Sequence, residues 1–368
     1  MECLPSDATG NDSADNSDNN NFGPPVVIKD AWAYSKEDLK DDTRDKVGFL
    51  QTISKELLKH TSDVVYPELL GGGRVSLEYS DTGAAADDTT ASTLGDLYNS
   101  GSAYGKVPIS FRAHKRLVMS PVGEPLKTAK SFDELMAVLA DAMLCHDAVW
   151  KHCGILHRDI FDNNILVVRQ GEWVRGLLID FDNAITTREQ SATRPGRTGT
   201  FPFMSIKNLE NEGVPRTALD DWESLLYVLC FYATIGLEGI GRREKPDRER
   251  LPIKKWNMGY AGDVSMAKRQ HLSSSATFDK EVTRHFYSAG VDERAVTRLK
   301  DFARELYSAL FRNPRCDSSC YGTGSDYKMV DGEEVFVDSF VERAKAKNVK
   351  VIIEDLVAIV SQYQNNTE

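Results

Sequence analysis

The stretch His157-Arg158-Asp159-Ile160-Phe161-Asp162-Asn163-Asn164, followed sixteen residues after Asn164 by Asp180-Phe181-Asp182, constrains this chain more than any other feature. Between the two lie Ile165-Leu166-Val167-Val168, a polar turn from Arg169 to Glu172, and a mainly apolar run from Val174 to Ile179. Short apolar runs around a polar, glycine-containing turn predict two strands joined by a hairpin. Such a hairpin returns the chain to its starting end, so Asn164 and Asp180 are expected within reach of one metal ion. Asp159 offers a carboxylate that can accept the proton of a hydroxyl, while Asn164 and Asp180 offer hard oxygen ligands of the kind Mg²⁺ takes. A lone His-Arg-Asp tripeptide reads as an ordinary surface loop. The ordered set of D-x4-N, strand, strand and second Asp is far harder to obtain by chance.

With 368 residues, 41% of them hydrophobic, the chain can bury a sizeable core as one large domain or two lobes. Residues 1–25 carry Glu2, Asp7, Asp12, Asp15 and Asp18 without Lys or Arg, which leaves −6 of the net charge of −11 for the remainder. That balance argues against general binding of nucleic acid. The six cysteines are scattered and no apolar signal segment opens the chain, so reduced thiols in the cytoplasm or nucleus are expected. Cys316 and Cys320 lack a second ligand pair at zinc-site spacing. No run of 18 apolar residues is present, so no membrane partner is expected.

Residues 1–25 are rich in Asn, Asp and Ser and are expected as a flexible acidic tail. A strand at Pro25–Lys29 follows, then a helix with apolar positions Val47, Leu50, Ile53, Leu57 and Leu58. The Gly-, Ser- and Asp-rich composition of about 71–106 predicts a flexible insertion, with Gly71-Gly72-Gly73 as a turn. Lys115–Ser120 reads as a strand ending at a hinge. Ser131-Phe132-Asp133-Glu134 reads as a capping box ahead of a helix bearing Leu135, Met136, Leu139, Met143 and Trp150. His146 on that helix reads as a satisfied core or helix-surface histidine and not as a ligand. The apolar stretch from Leu219 to Ile235 predicts a helix buried all round, so Asp221 at its start needs buried partners. Further helices and a strand pair near Tyr327–Val337 complete the chain.

With these pieces in place, the chain resembles the fungal-type protein kinase family, a divergent branch of the eukaryotic protein kinase fold. The phrases that carry the resemblance are Val27–Trp32, Arg116–Leu126, Gly154–Ile160, Asn164–Leu166, Leu178–Ala184, Thr198–Met204 and Asp220–Ser224. The resemblance implies an α+β, two-lobed kinase-like fold. In it, residues 26–120 form a reduced N-lobe and residues 121–368 a mainly helical C-lobe. It also implies ATP and Mg²⁺ as cofactors and a protein substrate. Lys29 and Met119 would bind nucleotide, Asn164 and Asp180 would hold Mg²⁺, and Asp159 would be the catalytic base beside His157 and Arg158. Thr198 and Thr200 would belong to the activation segment, with Thr200 bordering the acceptor site and favouring Ser/Thr. Asp221 would anchor the His157–Arg158 loop.

The sequence departs from the kinase pattern at four places. Lys46 stands where an acid is expected to pair with Lys29, and Phe161 replaces a lysine that many Ser/Thr kinases place near the γ-phosphate. Ser205-Ile206-Lys207 replaces Ala-Pro-Glu, and an acidic, Asn-rich tail precedes Lys29 where a Gly-rich strand pair is expected. These departures keep two alternatives beside a Ser/Thr protein kinase: a non-catalytic kinase-like binding module and a small-molecule phosphotransferase. The oligomeric state has no signature in the sequence.

Overall fold

The computed structural model describes residues 3–4, 24–34, 46–61, 63–78, 85–87, 112–186, 199–210, 216–238, 240–242, 249–316, 325–330, 333–338 and 345–364. The chain divides into two compact units, Met1–Lys59 with Pro67–Val122 and His60–Tyr66 with Gly123–Glu368.

The first unit is built on a four-stranded sheet in the order β1-β2-β6-β3 (β1 Cys3–Leu4, β2 Val26–Tyr34, β3 Glu68–Arg74, β6 Arg112–Ser120). A short pair, β4 (Ser76–Glu78) with β5 (Ala85–Asp87), accompanies it. Strands β2 and β6 run antiparallel from Val27 opposite Met119 to Tyr34 opposite Arg112. Helix α1 (Lys46–His60) buries Val47, Leu50, Ile53 and Leu57 at helical spacing, and its Ser54 Oγ accepts from Leu69 N of β3 at 3.0 Å. No acid lies in its first turn. Most of the expected tail at 1–25 lies outside the described residues, but Cys3–Leu4 pairs with Val26–Val27 as an edge strand.

Gly71–Gly73 correct the sequence reading, for they continue strand β3 against β6 instead of forming a turn. Close approach of backbones explains the glycine at position 72. A Cβ there would lie 2.8 Å from both Arg116 O and Leu117 Cδ2, so any side chain would push the two strands apart. The ladder also shifts register between Leu69 and Gly71, where an extra residue is accommodated.

The second unit is mainly helical. Helix α2 (Phe132–Cys153) starts at Ser131, whose Oγ accepts from Glu134 N at 3.1 Å, and ends at Gly154 with φ 65°. The expected reciprocal bond is displaced by one residue, because Glu134 accepts from Lys130 N instead of Ser131 N. The strand pair β8 (Ile155–Leu156) and β11 (Ile185–Thr186) lies either side of the hairpin β9 (Ile165–Gln170) and β10 (Trp173–Leu178). A short strand, β7 (Glu124–Pro125), pairs with β9.

Two contacts fix the hairpin to α2. Asp141, almost fully buried on that helix, accepts from Arg175 Nε at 2.8 Å and Gly176 N at 2.9 Å. At Gly176 a Cβ would fall 2.0 Å from Val138 O, so only glycine lets β10 pass this close to the helix. Arg169 reaches Glu134 through both Nη atoms at 2.7 and 3.1 Å.

Helix α3 (Ile206–Glu210) leads to α4 (Ala218–Ile235), which is buried along almost its whole surface and is capped by Thr217 with Asp220. The remaining helices are α5 (Ala261–His271), α6 (Ser275–Glu281), α7 (Glu293–Phe311) and α8 (Ala346–Gln364). Two minor pairs, β12 (Gly236–Leu237) with β13 (Gly241–Arg242) and β14 (Ser325–Val330) with β15 (Glu333–Asp338), complete the unit. Among the described residues, no helix is long and apolar enough to cross a membrane.

Candidate active site

The hairpin brings Asn164 and Asp180 together as a consequence of its register. Ile165 lies opposite Leu178, and Ile179 N donates to Asn164 O at 2.9 Å, closing the open end of the ladder. Asn164 is buried, and its amide nitrogen donates to Asp159 O at 2.9 Å, which directs its remaining amide function away from that carbonyl. Asp180 adopts φ 66° and accepts from Asp182 N at 3.2 Å, so it caps the short 3-10 turn Phe181–Asn183. Left-handed backbone is uncommon outside glycine, and Asp180 shares it with Arg158 at φ 70°. Both strained residues flank the same cluster, a concentration typical of functional sites.

Asp159 is held at each carboxylate oxygen. Its Oδ1 accepts from Thr200 N at 2.9 Å and Thr200 Oγ1 at 3.1 Å, and its Oδ2 accepts from Asn183 Nδ2 at 3.0 Å. His157 lies beneath: its Nδ1 accepts from Asp159 N at 3.3 Å and its Nε2 donates to Ile179 O at 3.0 Å. Those two bonds require the neutral Nε2–H tautomer. Burial pushes the His157 pKa down, against the attraction of Asp221, so the ring stays uncharged. It also meets Phe181 edge to face at 4.7 Å between centroids.

Asp221 ties this loop to α4. Its Oδ2 accepts from Arg158 N at 3.1 Å and from His146 Nε2 at 2.9 Å, with the His146 and Asp221 side chains both buried. Burial alone would raise the Asp221 carboxyl; the hydrogen bond from His146 and the other nearby donors outweigh it and hold it below the ordinary value. Arg216 Nη1 completes the loop by donating to Arg158 O at 2.6 Å. Burial lowers the pKa of both arginines, and the charge of Arg216 lowers Arg158 further.

Of the expected site residues, His157, Arg158, Asp159, Asn164, Asp180, Thr200 and Asp221 gather in the second unit. Lys29 and Met119 belong to the first, where Lys29 on β2 stands opposite Leu117 and Met119 on β6 lies opposite Val27 and Leu69. Thr198 lies outside the described residues. Asn183, His146 and Arg216 complete the cluster in roles that sequence reasoning missed. Asn183 alone had a local signal, its place three residues after Asp180.

Residues 13–233, more than half of the chain, match the sequence model described as fungal protein kinase. The chain therefore belongs to the fungal protein kinase family and is a protein kinase-like protein with an α+β, kinase-like fold. A solved structure, that of the Cydia pomonella granulovirus kinase PK-1, is similar at a TM-score of 0.41 and 12% identity, over 79% of this chain and 84% of that one. No curated protein matches. Kinases of the family in general use ATP and Mg²⁺. The donor set here fits such a metal, since an amide oxygen at Asn164 and a carboxylate at Asp180 are hard ligands at the open end of one hairpin, opposite its turn.

Proposed function

We propose that this chain transfers the γ-phosphoryl group of MgATP to a Ser or Thr hydroxyl of a protein. The observation that carries the reading is the pair of hydrogen bonds from Thr200 to Asp159. A threonine hydroxyl already donates its proton to the candidate base at 3.1 Å, the contact that an acceptor hydroxyl must make. Asp159 accepts the substrate proton, with Asn183 and the Thr200 backbone N–H fixing the direction in which its carboxylate points. Asn164 and Asp180 would hold Mg²⁺, which would supply charge neutralisation at the phosphates. Phosphoryl transfer asks the protein mainly for positioning and electrostatics, and a carboxylate held at both oxygens meets the first demand.

The test is transfer of radiolabelled phosphate from MgATP to serine- and threonine-containing protein acceptors. Asp159→Asn should lower turnover by roughly a hundredfold or more with nucleotide affinity little changed. Asp180→Asn should weaken Mg²⁺-dependent nucleotide binding itself. Variants as active as the wild type would sink the reading, whereas nucleotide-independent partner binding without any transfer would favour a non-catalytic module.

A further inference from the structure

Helix α4, the 3-10 turn Pro252–Asn257 and the segment after Thr200 enclose an apolar cavity of about 190 Å³. Phe203, Tyr227, Phe231, Ile253 and Trp256 line it, together with half-exposed Asp162. Protein interiors are close-packed, and a water molecule takes only about 30 Å³ of liquid, so this space is several waters large. The lining is mainly apolar, with Asp162, Lys254 and Asn257 as its polar members, so most of it gives those waters few partners and suits an apolar occupant better.

The wall of the cavity is built at some cost. Lys268 on α5 is fully buried, and its Nζ donates to Pro202 O at 2.8 Å and Met204 O at 2.6 Å. The ammonium also lies 3.7 Å from the centroid of Tyr227. Burial holds its pKa well below that of an ordinary lysine, against the attraction of Glu223. One cation thus fixes the carbonyls on both sides of Phe203, whose ring meets Phe231 edge to face at 5.8 Å.

The cavity adjoins the acceptor site along two segments of chain. Asp162 follows Asp159 by three residues, Phe203 follows Thr200 by three, and Asp159 and Thr200 are themselves hydrogen-bonded. Three residues reach at most about 11 Å. An extended peptide covers that distance in three to four residues.

We propose that this cavity receives an aliphatic or aromatic side chain of the protein substrate, within four positions of the acceptor hydroxyl, and that Lys268 is the positioning residue that keeps its wall in place. The inference rests on the reading of the chain as a protein phosphotransferase.

Binding is measured by fluorescence anisotropy with the full chain and serine peptides. Each of the four positions on either side of the serine is in turn Ala, Leu, Phe or Asp. Leu or Phe at one position should bind at least tenfold more tightly than Ala there. Ile253→Phe, which fills the cavity and leaves Lys268 in place, should reduce that preference below threefold, and Lys268→Met should do the same. A wild-type preference below threefold at every position overturns the proposal, as does one that survives Ile253→Phe. A preference intact in folded Lys268→Met removes the role of Lys268. The same peptides incubated with labelled MgATP separate the two readings. Selective binding without transfer keeps the pocket and removes the phosphotransferase, while transfer without selectivity does the reverse.

Discussion

The loop before Asp159 and the segment after Thr200 meet at one pair of hydrogen bonds, yet buried groups of opposite sign hold them. Asp221 of α4 takes an N–H from the first at Arg158, and Lys268 of α5 gives protons to two carbonyls of the second. The orientation of the peptide groups decides the sign. Arg158 in its left-handed conformation presents an N–H inward, whereas the 3-10 turn Phe201–Phe203 presents carbonyls. Where this second segment turns an N–H inward, at Ile206, an acid again receives it: Glu223 Oε1 accepts at 2.7 Å. A buried charge in this protein is matched to the backbone it touches.

The comparison breaks most readily at Asp221. Asp221→Ala leaves His146 and Arg158 N without their buried acceptor, and removing one partner from such a pair costs about 3–5 kcal/mol. Thermal unfolding should show a fall in Tm of roughly 6–10 °C. A fall within experimental error would mean that the loop is held from elsewhere. Lys268→Met should cost less, about 1–3 kcal/mol, because the replacement fills the volume and removes the desolvated cation along with its two bonds. If the two variants are equally damaging, charge burial itself, and not the peptide groups served, sets the loss.

Acid should separate the two anchors. Burial pushes His271 on α5 down to about 4, and its Nδ1 accepts from Trp256 Nε1 at 3.0 Å, a bond that needs the neutral ring. The unfolded chain takes up this proton near pH 6.5 and the folded chain does so only near 4, so stability is full above 6.5 and falls as the pH drops toward 4. His157, also lowered by burial, adds a loss of the same sign. Asp221, held below its ordinary 3.8, keeps its contribution until the pH falls below that value. Tm measured from pH 7 to 4 should therefore decline, and His271→Gln should flatten the decline. An unchanged slope in that variant would assign the loss to other groups. The smallest effect is expected for His146→Gln, at under about 1 kcal/mol, since a glutamine amide can still donate to Asp221.

Sequence made the hairpin and α4 legible because each depends on neighbours in the chain: an apolar run, a glycine turn, an apolar run, and a helix apolar on every face. The buried partners were not legible for the opposite reason. His146 is 75 residues from Asp221, and Lys268 is 64 residues from Met204. In the sequence Met266-Ala267-Lys268-Arg269, the lysine looks like part of a solvated helix face. Only tertiary packing turns it inward. Gly71–Gly73 misled for a related reason, since glycine signals a turn when read locally and a close strand approach when its partner, Arg116–Leu117, is known.

The far end of the hairpin offers a practical handle. Gly171 takes φ 60° at the first position of a two-residue turn, and no atom lies within 4 Å of where its Cβ would stand. Glu172 and Trp173 beside it are exposed. Asn164 and Asp180 sit at the opposite end, six paired residues away, where the bond from Ile179 N to Asn164 O closes the ladder. A fluorophore, or a few inserted residues, at Glu172 would ride on the tip of a ribbon whose root stays fixed, giving an optical label on the second unit that leaves the candidate site alone.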